Sequence, residues 1–288
     1  MGLSIRDVKA IFRPTVVPGA RRPRASTRRG IRNRLTARED MVIGGVGVGT
    51  IIALWCVLTY GSIVPHNFLP TPGMIWDGLV EYHTQRHWLF PAIGRSLWRV
   101  VRALALVLVI GIPVGVLMGA FSEVDAFLRK IINGGKAVPI SALTSLIVLW
   151  FNLDDEGKIA FLFLGAVFYM IILVKNDVAN VNEEYVRVAL DIGANRWQII
   201  RRVLLPGALP QIWDAVAVCL GIMWTYIILA EIINSSEANL GVGYLLQTGA
   251  RLGGNSSGKV FGMLIVVALI STLTDYAMQL IRRRFINW

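Results

Sequence analysis

The residues able to do chemistry in this chain are ionisable side chains set within apolar runs, and their spacing is helical. Arg95, Arg99 and Arg102 recur at i, i+4 and i+7, which aligns three guanidinium groups on one helix face. Glu231 follows Trp224, Thr225 and Tyr226 at the end of another apolar run, where a carboxylate is costly and functional or paired. These residues are candidates for one assembly along a pathway through the protein. Glu231 would gate it or pair with Arg95, Arg99 or Arg102, and the arginines would attract an anion. Contact of the arginines with headgroups at a membrane interface is the ordinary alternative. Asp275, in the last apolar run, is expected to pair with a nearby basic residue.

No catalytic set accompanies them. Gly135–Lys136 is followed by Ala137, and Gly157–Lys158 by Ile159, with no glycine five residues ahead of either pair, so the phosphate loop G-x-x-x-x-G-K-[ST] is missing. A His-Glu-x-x-His zinc helix and a Gly-x-Ser-x-Gly elbow are missing too. His83 and His87 have helical spacing but lack a third ligand nearby, so no metal site is expected. Cys56 and Cys219 fall inside apolar runs, as small apolar residues. No catalytic residue, metal or cofactor of its own is expected.

The elements that must carry these residues are membrane spans. Of the 288 residues, 55% are hydrophobic and 16% charged, and mean hydropathy is +0.60, beyond what a soluble globule carries. Runs able to span a bilayer occur at 41–60, 97–120, 139–151, 159–174, 214–233 and 260–281. The third is too short unless its helix begins near Leu128 and passes Gly134–Gly135 and Pro139, which predicts a kinked or interrupted span. The fold class expected is an all-α polytopic membrane protein with about six transmembrane helices. Gly45, Gly47 and Gly49 form a small-residue stripe suited to helix packing.

Of 29 lysines and arginines, 22 fall in residues 1–40, 121–138, 175–212 and 282–284. By the positive-inside rule these segments, and both termini, are cytoplasmic. The net charge of +11 thus reflects topology and lipid headgroups, not nucleic acid. Residues 1–40 form an Arg-rich cytoplasmic tail and 41–288 the transmembrane domain. On the outer side, residues 61–94 carry a short interfacial helix, with Thr71 as N-cap, Pro72 at its first position, and Ile75, Leu79 and Tyr82 on one face. It is filler or a docking ledge for an external partner. The acidic run Asp154–Glu156 is expected to be a solvated loop.

Between the fourth and fifth runs lies a polar insert, residues 183–210, reading EEYVRVALDIGANRWQIIRRVLLPGALP. Val186, Ala189 and Leu190 share a stripe of a first short helix, which Gly193 can end with a left-handed residue. Asn195 caps a second, Arg196 to Leu204, with Trp197, Ile200, Val203 and Leu204 on one face. Pro206 and Pro210 are expected to stop it and redirect the chain.

This insert resembles the cytoplasmic loop of the permease subunits of binding-protein-dependent ABC importers, E-A-A-x(3)-G-x(9)-I-x-L-P. Arg187-Val188-Ala189 takes the E-A-A positions, Gly193 the glycine, Val203 the isoleucine position, and Leu205-Pro206 the end. Arg187 departs from the family's Glu, a change that Glu184 or Asp191 would offset. NFLPTPGMIWDGL, SLWRVVRALALVLVIGIPVGVLMG, LPGALPQIWDAV, ILAEII and NLGVGYLLQTGAR extend the likeness over the chain after residue 40, closest to the nitrate/sulfonate/taurine/bicarbonate branch.

The resemblance implies a type I ABC importer permease in a bacterial inner membrane. A second permease copy would complete the pathway, two ATP-binding cassette subunits would hold ATP and Mg, and an external solute-binding protein would deliver a small anion. It also implies that the loop is a coupling helix. Ala189 and Gly193 would serve close packing, Trp197 an apolar anchor, Glu184, Arg187 and Asp191 polar contacts, and Leu205 and Pro206 the brace. An ion-gradient-driven secondary transporter and an integral membrane enzyme are the alternatives.

Overall fold

The computed structural model describes residues 35–84, 87–151, 154–233, 239–253 and 256–285, and every regular element among them is helical. Residues 1–34 of the Arg-rich tail lie outside the described residues. The helices are α1 (Ala37–Tyr60), α2 (Pro72–Thr84), α3 (Leu89–Ala120), α4 (Ser122–Ala137), α5 (Ile140–Phe151), α6 (Asp155–Ala179) and α7 (Glu183–Asp191). They continue with α8 (Arg196–Ile199), a π-helical turn (Ile200–Leu204), α9 (Leu205–Ile233), α10 (Val242–Arg251) and α11 (Ser257–Phe285).

Five helical stretches among the described residues are long and apolar enough to cross a membrane: α1, α3, α6, α11 and the continuous run Arg196–Ile233. Counted as one broken span, α4 with α5, bent by 94°, is the sixth; the cytoplasmic placement expected for residues 121–138 is then corrected, because Arg129, Lys130 and Lys136 lie on the first arm of that span. The interruption expected at the Gly134–Gly135 pair and Pro139 is therefore present, and its cause is local. Proline drives the preceding residue out of the helical region, and Val138 is extended at φ −71°, ψ 122°.

The spans begin earlier than their apolar cores. Polar residues do not end a helix whose first turn they can cap: Thr36 and Glu39 form a reciprocal capping box at the start of α1, and Asp155 and Glu156 lie in the first turn of α6, where carboxylates favour the helix dipole. The expected solvated loop at Asp154–Glu156 is thus corrected: Asp155 and Glu156 are helical.

The core is α3 packed on α6, with α9 packed on α6 and also touching α3. Gly111, Gly115 and Gly119 recur every fourth residue along α3 and let the two backbones close together. A Cβ at Gly115 would lie 2.7 Å from Val174 Cβ and 2.9 Å from the Ile171 carbonyl oxygen. The α9 face is pinned to α11 by Trp224, whose indole N–H donates to Thr274 Oγ1 at 3.0 Å.

The glycine stripe expected to pack is a different one. Nothing lies within 4 Å of a Cβ placed at Gly45, Gly47 or Gly49, and the apolar window of α1 is unburied within this chain. The face predicted for α2 is in place: Ile75 and Tyr82 are buried and Leu79 half-buried, and Thr71 Oγ1 accepts the Met74 N–H at 3.3 Å. That face meets the start of α11, where Lys259 pairs with Glu81 at 2.7 Å, and the Tyr82 hydroxyl donates to the Leu245 carbonyl of α10 at 2.8 Å.

Replacing Gly115 by Val should overpack the α3–α6 contact, at a cost of about 1–3 kcal/mol. Gly94→Ala, where a Cβ meets nothing within 4 Å, should leave stability unchanged or raise it. Thermal unfolding of the two purified variants checks this, and equal midpoints would contradict the packing described.

Candidate functional site

Four segments meet at the end of the bundle formed by the start of α6, and an ionic cluster joins them. Arg99 of α3 is 1% exposed and Glu231 of α9 is 0% exposed. Arg99 Nη1 lies 2.7 Å from Glu231 Oε1 and donates to the Leu240 carbonyl at 3.2 Å. Its Nε and Nη2 donate to Asp155 Oδ1 at 2.9 and 2.6 Å. The Ser96 hydroxyl donates to Glu231 Oε1 at 2.7 Å and accepts the Val242 N–H at 3.0 Å. Gly243 N–H donates to Glu231 Oε2 at 2.9 Å.

This close approach is why residues 241–243 read Gly-Val-Gly. A Cβ at Gly241 would fall on the Glu231 carboxyl group, and one at Gly243 would lie 2.7 Å from Glu231 Cβ. Lys158, 3% exposed, adds a second cation, with Nζ 4.0 Å from Asp155 Oδ1 and donating to the Asn239 carbonyl at 3.5 Å. Two cations thus face two carboxylates. Buried charges persist only when paired and hydrogen-bonded in this way.

The sequence-based candidates separate into distinct places. Arg99 and Glu231 form the expected pair, but headgroup contact is corrected for Arg99, which is buried between carboxylates. Arg102 is half-exposed and pairs with Glu156 at 2.9 Å, while Arg95 is exposed. Trp224 is buried against α11. Tyr226 points elsewhere on α9, packing over Gly165 and edge-on to Phe161 at 6.4 Å. Asp275 accepts from Gln279 at 3.0 Å, and no basic residue pairs with it among the described ion pairs. The basic partner nearby, Arg282, is taken by Asp214 at 2.7 Å. Among the described residues no group of three metal-ligating side chains occurs.

At the other end of α6, roughly 37 Å away for its 25 residues at 1.5 Å each, the chain forms the elbow. Asn182 caps α7 by accepting the Glu184 N–H at 3.0 Å. Gly193 ends the helix at φ +79°, and its N–H donates to the Leu190 carbonyl at 2.9 Å while Ala194 N–H reaches Ala189 at 2.9 Å. Asn195 and Gln198 form a capping box for the next helix. Ala189, Ile199 and Ile200 face inward and are buried.

Trp197 does not join Ile200 on the inner face; it is 60% exposed, as Val188, Leu190 and Ile192 also are by more than half. Arg187 is tied to Glu183 of its own helix at 2.9 Å, both exposed, while Glu184 and Asp191 lie on the exposed surface. The expected stop at Pro206 and Pro210 is corrected. Residues 196–233 run as one helical stretch, because the turn before Pro206 widens to π geometry, with Leu205 N–H donating to the Ile200 carbonyl. Such a turn absorbs the ring and the missing N–H of Pro206, which Leu205 directly precedes.

Sequence patterning did not find Asp155, Lys158 or Ser96. Asp155 and Lys158, at i, i+3 beside an apolar run, carried the available signal.

The family described as binding-protein-dependent transport system inner membrane component matches residues 111–287. A taurine transport system permease protein of Escherichia coli, TauC, is 30% identical over 84% of this chain and 89% of its own length. A Bacillus subtilis permease named for aliphatic sulfonates transport is 31% identical over 83% of this chain and 84% of its own. Among solved structures, an inward-facing MetNI methionine ABC transporter chain superposes with a TM-score of 0.63 at 19% identity, covering 75% of this chain and all of that one. At that identity the likeness concerns the fold.

Arg99→Met or Glu231→Leu alone leaves a buried charge short of a partner and should cost about 3–5 kcal/mol. The double variant Arg99→Met, Glu231→Leu should cost less than the sum of the single changes. Unfolding of the single and double variants in detergent tests this, and additive losses would contradict a direct pair.

Proposed function

Because the chain belongs to the family of binding-protein-dependent transport system inner membrane components, whose relatives are ABC transporter permeases, we propose that it carries small organosulfonates, taurine among them. In this reading residues 183–210 couple it to ATP-binding subunits. It is a multi-pass membrane protein and a permease subunit; the alternatives of a secondary transporter and a membrane enzyme find no support in its relatives. The membrane is a bacterial inner membrane, and both termini and the elbow face the cytoplasm, where the basic residues concentrate. ATP and Mg sit on the partner subunits.

The observation that carries the coupling is the elbow itself. Exposed apolar side chains, Val188, Leu190, Ile192 and Trp197, crowd a short segment that is capped at both helices. Exposed apolar clusters of this kind mark protein contacts, and Trp is the residue type that most often anchors them. Ala189, buried at the elbow, packs its arms together, while Gly193, where a Cβ would meet nothing within 4 Å, supplies the left-handed turn between them instead of the close packing expected; Leu205 and Pro206 brace the second arm, and Glu184, Arg187 and Asp191 supply the polar rim. A stiff elbow fused to α6 and α9 turns closure of the ATP-binding pair into rigid-body motion of the spans.

Two copies of the chain line the pathway. The unburied faces of α1 and α5 are those a second copy covers. At the opposite end, α2 leaves Trp76 69% exposed, a ledge for the external solute-binding protein. The Arg99 cluster closes that end, and its pair with Glu231 fastens the spans of each copy together there.

Gly193→Pro should leave membrane insertion intact and reduce taurine uptake by at least about tenfold, because proline cannot take a positive φ and removes the N–H that donates to Leu190. Trp197→Ala should weaken co-purification with the ATP-binding subunit by a loss of about 2 kcal/mol or more. Uptake into proteoliposomes and pull-down of the co-expressed subunit read the two effects. Unchanged uptake and undiminished recovery would remove the elbow from the mechanism.

A further inference from the structure

The break between α4 and α5 borders a partly open cavity of about 120 Å³. It is lined by Lys136, Val138 and Pro139 of the bend, Phe168 and Tyr169 of α6, and Tyr226 of α9. Two glycines make the space: Phe168 lies over Gly135 and the Tyr226 ring over Gly165, where any Cβ would collide with them. Gly165 sits ten residues from the start of α6 and fourteen from its end, about 15 and 21 Å from the two ends at 1.5 Å per residue. The cavity is therefore in the middle of the span.

Three features at that depth need a common explanation. The backbone is irregular at Val138 and Pro139, which at membrane depth is tolerated only where it is covered by protein or lines a water-filled space. Lys136 is exposed within this chain, and a Lys ammonium facing hydrocarbon there would cost about 3 kcal/mol. None of the ion pairs among the described residues includes it; its closest described contact is the Tyr169 ring, 5.8 Å from Nζ to the centroid. The hydroxyls of Tyr169 and Tyr226 make no hydrogen bond among the described residues. Lys136, Tyr169 and Tyr226 thus line one small space, and no carboxylate is among its described lining residues. Below the roughly 300–1,000 Å³ of pockets for drug-sized ligands, the volume suits an ion of a few heavy atoms.

We propose that this cavity is a mid-membrane binding site for a small organosulfonate, in which the Lys136 ammonium neutralises the sulfonate and the Tyr169 and Tyr226 hydroxyls donate to its oxygens. The inference rests on the reading of the chain as a sulfonate permease, and it separates the site from the Arg99 cluster, whose cations already face carboxylates. Lys136 then belongs to the translocation path, and the two tyrosines select for oxyanions.

Reaction rates at the site test it without requiring transport. In the assembled importer, with Cys56 and Cys219 replaced by alanine, Val138→Cys is treated with a methanethiosulfonate bearing an ethylsulfonate or one bearing a trimethylammonium group. The anionic reagent should react at least about tenfold faster relative to a small free thiol, and adding Lys136→Met should reduce that preference to near unity, while Lys136→Arg keeps it. In parallel, Lys136→Met should cut taurine uptake by about tenfold or more with ATP-binding subunits still bound. No Lys136-dependent preference, with taurine uptake intact in Lys136→Met, overturns the site and leaves the cargo assignment standing. A Lys136-dependent preference in an importer that takes up no sulfonate supports the anion site and overturns the cargo assignment.

Discussion

The buried pair of Arg99 and Glu231 is the constraint on which one end of this bundle depends. Glu231 is wholly buried and accepts from Ser96, Arg99 and Gly243, so α3, α9 and the first turn of α10 converge on one carboxylate. Asp155 brings in α6 through the other face of the same guanidinium. Charges in such a place are stable only as a complete set. That completeness dictates local sequence: glycine at 241 and 243, serine at 96, and a helix start at Asp155 rather than deeper in the apolar run.

The opposite end obeys a different rule. The elbow is held by backbone capping, with Asn182, Asn195 and Gln198 satisfying helix termini and Gly193 supplying the one left-handed residue between its arms. Its apolar side chains are left outside instead of being consumed in the core. Between the ends, the glycine contact of α3 with α6 and the packing of α9 on α6 form a stiff middle, since close-packed helices shift between discrete arrangements rather than deform. A span broken at Pro139 interrupts that stiffness at one depth only.

Much of this was legible in the sequence because it depends on local rules. Apolar runs and the proline before α5 announced the spans and the broken one, and the register of Ala189, Gly193 and Asn195 announced the elbow. Family membership followed from spaced motifs. What escaped prediction depends on distant partners. Asp155 looked like loop because hydropathy falls there, yet its charge is needed across the bundle by Arg99. Pro206 looked like a stop because proline removes a donor, yet a π turn accommodates it. Arg95, Arg99 and Arg102 share a face by spacing, and only tertiary packing separates the buried one from its neighbours. The stripe at Gly45, Gly47 and Gly49 looked suited to helix packing, yet within this chain that contact is made by α3 at Gly111, Gly115 and Gly119.

The central claim is that the elbow and the ion-cluster end of one chain move as a single body. Pulsed dipolar spectroscopy tests it most directly, with spin labels at Arg201→Cys on the elbow side and Gly94→Cys near the cluster in the assembled importer, with and without ATP. Within one copy the distance should stay constant to within about 2 Å, while the distance between the Gly94 labels of two copies changes by several ångströms, as rigid-body alternation requires. A change within one copy, with the distance between copies fixed, would contradict the lever.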